Sequence, residues 1–283
     1  MAEAGDSGAR TRAHVGTHGG IASEVFWVAW RSLKRLTRTP MLLFFSLFMP
    51  FIWLVMFSQT FSKVFARGAA GQAPLPYDFV AVYLPAVTIM TSIQSASQSG
   101  IGMVTDIDSG FMDKFFVAPI HRTSVLLGKL LADGLRMAIQ SSIIMIVAWL
   151  MKLTFGWRIP FATGLAGSLV VVLLATLFGI AFAGLSNAVA LKTRNTEATM
   201  MVSFTLTFPL QFLSSAMLPR ELLPPWVQGF AAVNPVSYVA DASRTLILSG
   251  WNWVLIGKAL LAVAAFGIVL NAIAVRAFRA QGR

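Results

Sequence analysis

Six apolar runs dominate this chain, at about residues 41–61, 79–104, 130–153, 161–190, 198–216 and 254–275. Each approaches or exceeds the roughly 20 residues of helix that cross the hydrocarbon core of a bilayer. In lipid every backbone polar group must be satisfied within its own segment, which leaves helices for runs of this kind. Composition agrees: 57% of residues are hydrophobic and 12% charged, against about 25% charged in a soluble domain. The expected fold is an all-α polytopic membrane protein with six transmembrane helices. Cysteine is absent, which removes any disulfide framework or Cys-ligated metal. On a soluble chain a net charge of +11 would point to nucleic acid. Here the basic residues fit the inner headgroup layer, so membrane lipid is an expected partner and nucleic acid is not.

Between the fifth and sixth runs lies a stretch, 217–250, too apolar for a surface loop and too broken to cross once. Pro219, Pro224 and Pro225 remove backbone donors and stop a continuous helix. Two short helices remain. One opens at Pro225 and carries Trp226, Val227, Phe230 and Val233. The other opens at Asn234-Pro235, a favourable N-cap followed by a residue preset for the first turn, and passes Tyr238, Asp241 and Arg244 before Gly250. Two short apolar helices folded back between spans make a re-entrant hairpin.

In chain order, residues 1–20 lack periodicity and read as a disordered tail. His14 and His18 in that tail are not a metal site. Residues 21–39 place Arg31, Arg35 and Arg38 on one helical face and Phe26, Trp30 and Leu33 on the other, the pattern of an amphipathic interfacial helix. The second run carries a polar stripe: Thr88, Thr91, Ser92, Gln94, Ser95 and Gln98 share an arc of a helical wheel. Such a stripe avoids lipid, and either lines a path for cargo or bonds helix to helix. Ser203, Thr207 and Gln211 in the fifth run join it as path candidates.

The loop after the second run, about 108–118, gathers Phe111, Met112, Phe115 and Phe116 around Asp113 and Lys114. So many aromatics on an exposed loop need a surface to bury them. Further on, Asp133 can pair with Lys129 and Arg136 at helical spacing; near the inner end of its span this reads as a snorkelling interfacial pair rather than a proton relay. Ala175, Gly179 and Ala183 recur every four residues, which permits close helix contact.

The order Leu218-Pro219, Pro224-Pro225-Trp226, Asn234-Pro235, Tyr238 and Arg244 resembles the signature of ABC-2 type transporter permeases, especially those of the daunorubicin-resistance branch, and the resemblance runs through nearly the whole chain. It implies that Asp108, Gly110, Phe111, Met112, Asp113, Lys114, Phe115, Phe116, Pro119 and Arg122 belong to a cytoplasmic coupling helix docking on a separate ABC ATPase. It also implies two ATPase copies and a second permease chain, identical or related. Within 40–283, the expected ABC-2 transmembrane domain, 217–250 becomes an outer re-entrant hairpin marked by Pro219, Pro225, Trp226, Asn234, Pro235, Tyr238 and Arg244.

Sorting Lys and Arg by side puts the richer share, including Arg31, Arg35, Arg38, Lys129, Lys192, Arg276 and Arg279, on the face shared by both termini. By the positive-inside rule both termini are cytoplasmic, in a multi-pass protein of the cell membrane. No G-x-x-x-x-G-K-[ST] loop occurs, so ATP and magnesium are expected on the partner, with no cofactor in this chain. No Ser/His/Asp constellation or H-E-x-x-H motif occurs either, and the chain is not expected to be an enzyme. The expected function is export of an amphipathic drug-like or lipid-like substrate. The alternatives are a self-sufficient channel or secondary carrier, or a permease for a polysaccharide or glycolipid.

Overall fold

The computed structural model describes residues 30, 40–66, 77–110 and 122–281. Within them the chain forms eight helices, with no strand among the described residues. These are α1 (Pro40–Ala66), α2 (Phe79–Asp108), α3 (Arg122–Phe155), α4 (Gly164–Thr193), α5 (Thr196–Phe212), α6 (Pro225–Val233), α7 (Pro235–Leu248) and α8 (Trp253–Gln281). A single 3₁₀ turn, Arg220–Leu222, precedes α6. The six longer helices cover the six apolar runs. Four are long and apolar enough to cross a membrane: α2, α3 over Gly128–Phe155, α4, and α8 over Trp253–Ile273. The apolar stretch of α1 is Ser46–Ser62, and α5 has 17 residues. The expected tail, the interfacial helix apart from a helical Trp30, and Phe111 to Pro119 lie outside the described residues.

The bundle is assembled around α2, which α1, α3, α4, α5 and α7 all contact. In its most apolar window 89% of residues are buried inside the protein, against 17% for α8 at the periphery. Aromatic rings zip α1 to the N-terminal half of α2: Phe57 stacks on Tyr83 at 5.3 Å and Phe61 meets Phe79 at 5.1 Å. Small residues let α4 approach on another side. A Cβ on Gly179 would stand 2.6 Å from Met137 Sδ and 3.2 Å from the Ser92 carbonyl. One on Gly100 would run into Ser186 Oγ and stand 2.8 Å from its carbonyl carbon. Ala175 and Ala183, the other members of the four-residue repeat, are fully buried.

Helix α5 is built inside out. It buries Thr199, Ser203 and Gln211 and turns Met201, Phe204 and Phe208 outward, with Phe204 75% exposed. That is the distribution of a helix facing lipid or another apolar surface, where polar groups seek the protein interior. Its end also differs from the expected one. The helix stops at Phe212 rather than near 216, because the chain turns back on its own polar groups: Ser214 Oγ donates to the Gln211 carbonyl at 2.6 Å, and the Ala216 amide donates to Ser214 Oγ at 3.2 Å.

Candidate functional site

Two polar assemblies and one half-open line of side chains stand out in this apolar bundle. The first assembly holds the hairpin. Asn234 caps α7, accepting from the Val236 amide at 3.0 Å through Oδ1. Its Nδ2 donates to the carbonyls of Leu210 at 2.8 Å and Leu213 at 2.9 Å, groups that the end of α5 leaves without helical partners. One side chain thus closes two helix termini. Tyr238 does the same for α6, its hydroxyl donating to the Ala232 carbonyl at 2.6 Å.

Arg244 is the centre of this assembly. It is 7% exposed, and its NH2 donates to the Ser215 and Ala216 carbonyls at 2.6 and 2.9 Å. Nε reaches the Val82 carbonyl of α2 at 3.3 Å. Asp241 balances its charge at 3.2 Å and also accepts from Arg220 Nε at 2.7 Å and Ser215 Oγ at 2.6 Å. Arg220 lies over the Tyr238 ring, 5.2 Å from its centroid. The guanidinium of Arg244 therefore replaces the backbone donors that the non-helical chain after α5 lacks. Pro219 and Pro225 bound the 3₁₀ turn and start α6, while Trp226 is exposed. The sequence reading gave no role to Arg220, Ser215 or Asp241. A carboxylate three residues before an arginine in so apolar a stretch was the signal available.

A loop strap joins the same side. Asp78, just before α2, accepts from Arg158 Nε, NH2 and the backbone amide between 2.8 and 3.2 Å. Ala162 N and Thr163 Oγ1 then donate to the last carbonyls of α7, Ile247 at 2.9 Å and Leu246 at 2.8 Å.

The second assembly crosses the bundle nearer the other ends of these helices. Asp133 of α3 is 8% exposed and turned toward α2, where it accepts a short hydrogen bond from Ser99 Oγ. Arg136 pairs with it at 3.2 Å and donates to Ser95 Oγ at 3.0 Å and the Ser95 carbonyl at 2.7 Å. Lys129 stands 4.0 Å away. The snorkelling expectation fails because serines on α2 offer these charges partners inside the bundle. On the far side of α2, Ser186 Oγ of α4 donates to the Ser97 carbonyl at 3.1 Å, and Ser203 Oγ of α5 lies 3.2 Å from Ser186 Oγ.

The path candidates therefore separate. Ser92, Ser95 and Ser203 are buried and bonded across helices, with Ser92 Oγ 3.1 Å from Ser141 Oγ. Thr88, Thr91 and Thr207 donate to carbonyls of their own helices, and Gln211 is buried. Gln94 and Gln98 differ: with Met90, Ser97 and Ile101 they form the one half-open line along α2 at this level. Neither carboxamide has a hydrogen-bond partner among the described residues. Of the coupling candidates, Asp108 and Gly110 end α2 and its turn, Gly110 at φ 64°, and Arg122 opens α3. The two helices thus frame the Phe-rich segment.

Helices of this length and apolarity, packed around a buried polar axis, define a multi-pass membrane protein. The profile of one family, the ABC-2 type transporter, matches residues 23–248, most of the chain, and the chain belongs to that family. It is similar to the daunorubicin resistance ABC transporter permease protein DrrB1 of Streptomyces coeruleorubidus, 28% identical over 77% of this chain and 72% of that one. It is also similar to the putative transport permease ycf38 of Cyanophora paradoxa, 26% identical over 79% and 73%. A third relative is the probable doxorubicin resistance ABC transporter permease protein DrrC of Mycobacterium tuberculosis, 27% identical over 59% and 58%. The chain is accordingly a permease subunit of an ABC exporter, and its family implies an ABC ATPase as partner.

Proposed function

We propose that this permease exports an amphipathic, drug-like or lipid-like compound across the cell membrane, with both termini cytoplasmic. Two ATPase subunits bind ATP and magnesium and drive it, and a second permease chain, identical or related, completes the path. The single observation that carries this reading is the half-open line on α2. It exposes two uncharged carboxamides without a partner among the described residues, beside Met90 and Ile101, while the buried charges Asp133–Arg136 and Asp241–Arg244 are paired with each other. A surface of that kind suits a cargo with a large apolar body and a few hydrogen-bonding groups. The names of the two drug-resistance relatives point the same way. A secondary carrier would need ionisable groups free to bind and release their ion.

In this reading Phe111, Met112, Phe115 and Phe116 form the knob pressed by the ATPase, held between Asp108–Gly110 and Pro119–Arg122, with Asp113 and Lys114 at its polar edge. The test is co-purification. Phe115→Asp leaves the chain in the membrane and reduces ATPase retention by about tenfold or more, because a buried carboxylate has no partner in an apolar groove. Undiminished retention removes the coupling role from this segment. Efflux of fluorescent doxorubicin from cells expressing the permease with its ATPase, compared with cells expressing either alone, tests the cargo class.

A further inference from the structure

The polar assembly near the inner helix ends consists of two hydrogen-bonded groups that together span four helices. Arg136 and Asp133 on α3 bind Ser95 and Ser99 on α2; Ser97 of α2 accepts from Ser186 on α4; Ser186 meets Ser203 on α5. Asn187 of α4 joins it, with Oδ1 3.2 Å from Ser99 Oγ. With Oδ1 toward Ser99, the single Ser99 proton faces two acceptors while Asn187 Nδ2 is buried without a partner among the described residues. Rotating the carboxamide by half a turn resolves the conflict at Ser99: Nδ2 donates to Ser99, and Ser99 donates to Asp133. Asn187 and Ser99 then donate in turn toward Asp133, which also accepts from Arg136, and Arg136 donates on to Ser95.

Its position matters. Ser99 lies nine residues before the end of α2 and Asp133 eleven after the start of α3, so each is about 15 Å of helix from the segment 109–121. The two helices that frame that segment are thus bolted together at one height. At the same height Gly100 lets the α4 backbone close on α2 at Ser186. A buried ion pair adds little net stability over apolar residues of the same shape, and its best-attested use is to fix one arrangement against others.

We infer that Asp133 is a positioning residue for transport: it locks α3 to α2 within a girdle that carries displacement of residues 109–121 into α4 and α5. This rests on the reading of that segment as the ATPase contact. Without Asp133, the ATPase binds and hydrolyses ATP, but α2 and α3 no longer move as one and the displacement is lost before α4 and α5.

The chain's lack of cysteine supplies the test. Met90 lies on the half-open line of α2 beyond the girdle, so Met90→Cys reports whether the packing around that line changes with nucleotide. The permease with its ATPase is reconstituted in lipid nanodiscs. Alkylation of that cysteine by fluorescein maleimide is timed without nucleotide and after trapping with ATP and vanadate. With Asp133 intact the two rates differ by about threefold or more. In Asp133→Leu the ratio falls to near one while ATP hydrolysis persists, and Asp133→Asn, which keeps an acceptor for Ser99, falls between. A parent-like ratio in Asp133→Leu overturns the inference, as does a parent complex with no nucleotide response at residue 90. Should Asp133→Leu fail to fold, Asp133→Asn with Arg136→Gln carries the comparison: a ratio near one supports the girdle, and a parent-like ratio overturns it. A parent chain that retains no ATPase instead sinks the reading of 109–121, a distinct result.

Discussion

The hairpin lock and the girdle around Asp133 are both polar, buried and built around an Asp–Arg pair three residues apart on one helix, yet they solve different problems. In the lock, Arg244 spends most of its donors on backbone carbonyls, those of Ser215, Ala216 and Val82. Asn234 likewise serves the open carbonyls at the end of α5. The chain there has left helical geometry, and each carbonyl it exposes needs a donor at a depth where water is scarce. In the girdle the helices are complete, and most bonds join side chain to side chain. Nothing in the backbone demands them. The lock is the consequence of a fold with a broken segment; the girdle joins helices whose backbones are already satisfied.

This contrast predicts unequal costs. Arg244→Ala strips the lock of its central donor and leaves Asp241 with Arg220 as its remaining cation, a loss of about 3–5 kcal/mol. Thermal unfolding of the purified chain and its yield in membranes measure it. A change below about 1 kcal/mol would mean that the carbonyls of Ser215 and Ala216 find other donors, and the contrast would fail. Asn234→Ala comes next. An N-cap alone is worth about 1 kcal/mol, but this residue also serves two carbonyls of α5, so about 2–3 kcal/mol is expected. Asn234→Asp separates the parts: it keeps the cap on α7, loses both Nδ2 donations, and should recover less than half of the deficit.

Gly100→Ala probes the girdle's side of the comparison. The added methyl meets Ser186 Oγ and backbone, so α2 and α4 must part, at about 1–3 kcal/mol. Adding Ser186→Ala removes the hydroxyl but not the backbone contact at 2.8 Å, so rescue is partial. Full rescue would show that the hydroxyl alone sets the spacing.

How much of this was legible follows the same division. Apolar length marked the long helices, because crossing lipid imposes it. Proline and Asn234-Pro235 marked the hairpin, because φ restriction and capping act within a few residues. The cap on α7 was readable; the second duty of Asn234, toward residues 21 and 24 positions earlier, was not. The same holds for Arg220 with Asp241, and for Arg136 with Ser95, which are 41 positions apart. A helical wheel shows that Ser95 and Gln94 share a broad polar arc. It does not show that α3 covers one edge of that arc and leaves the other half open. Direction around α2 is set by which helices pack where, and that is long-range information. Asp133 was misjudged for the same reason: its distance along α3 was visible, but the serines waiting for it belonged to another helix.

The smallest effect on stability is expected where the comparison has no bond to break. Gln94→Leu and Gln98→Leu remove carboxamides that are half-buried and unpartnered, so unfolding should shift by no more than about 0.5 kcal/mol. If these residues meet cargo, efflux changes instead: compounds with hydrogen-bonding groups lose rate relative to purely apolar ones, and Gln94→Asn should retain more than Gln94→Leu. A site built to hydrogen-bond its ligand discriminates strongly against one that lacks the group, whereas an apolar site discriminates weakly. The informative quantity is therefore the ratio of rates for two fluorescent amphipaths differing in one hydroxyl, measured in the same membranes. An unchanged ratio together with a stability loss above about 1 kcal/mol would move both glutamines from the cargo path to a protein contact on the half-open line of α2.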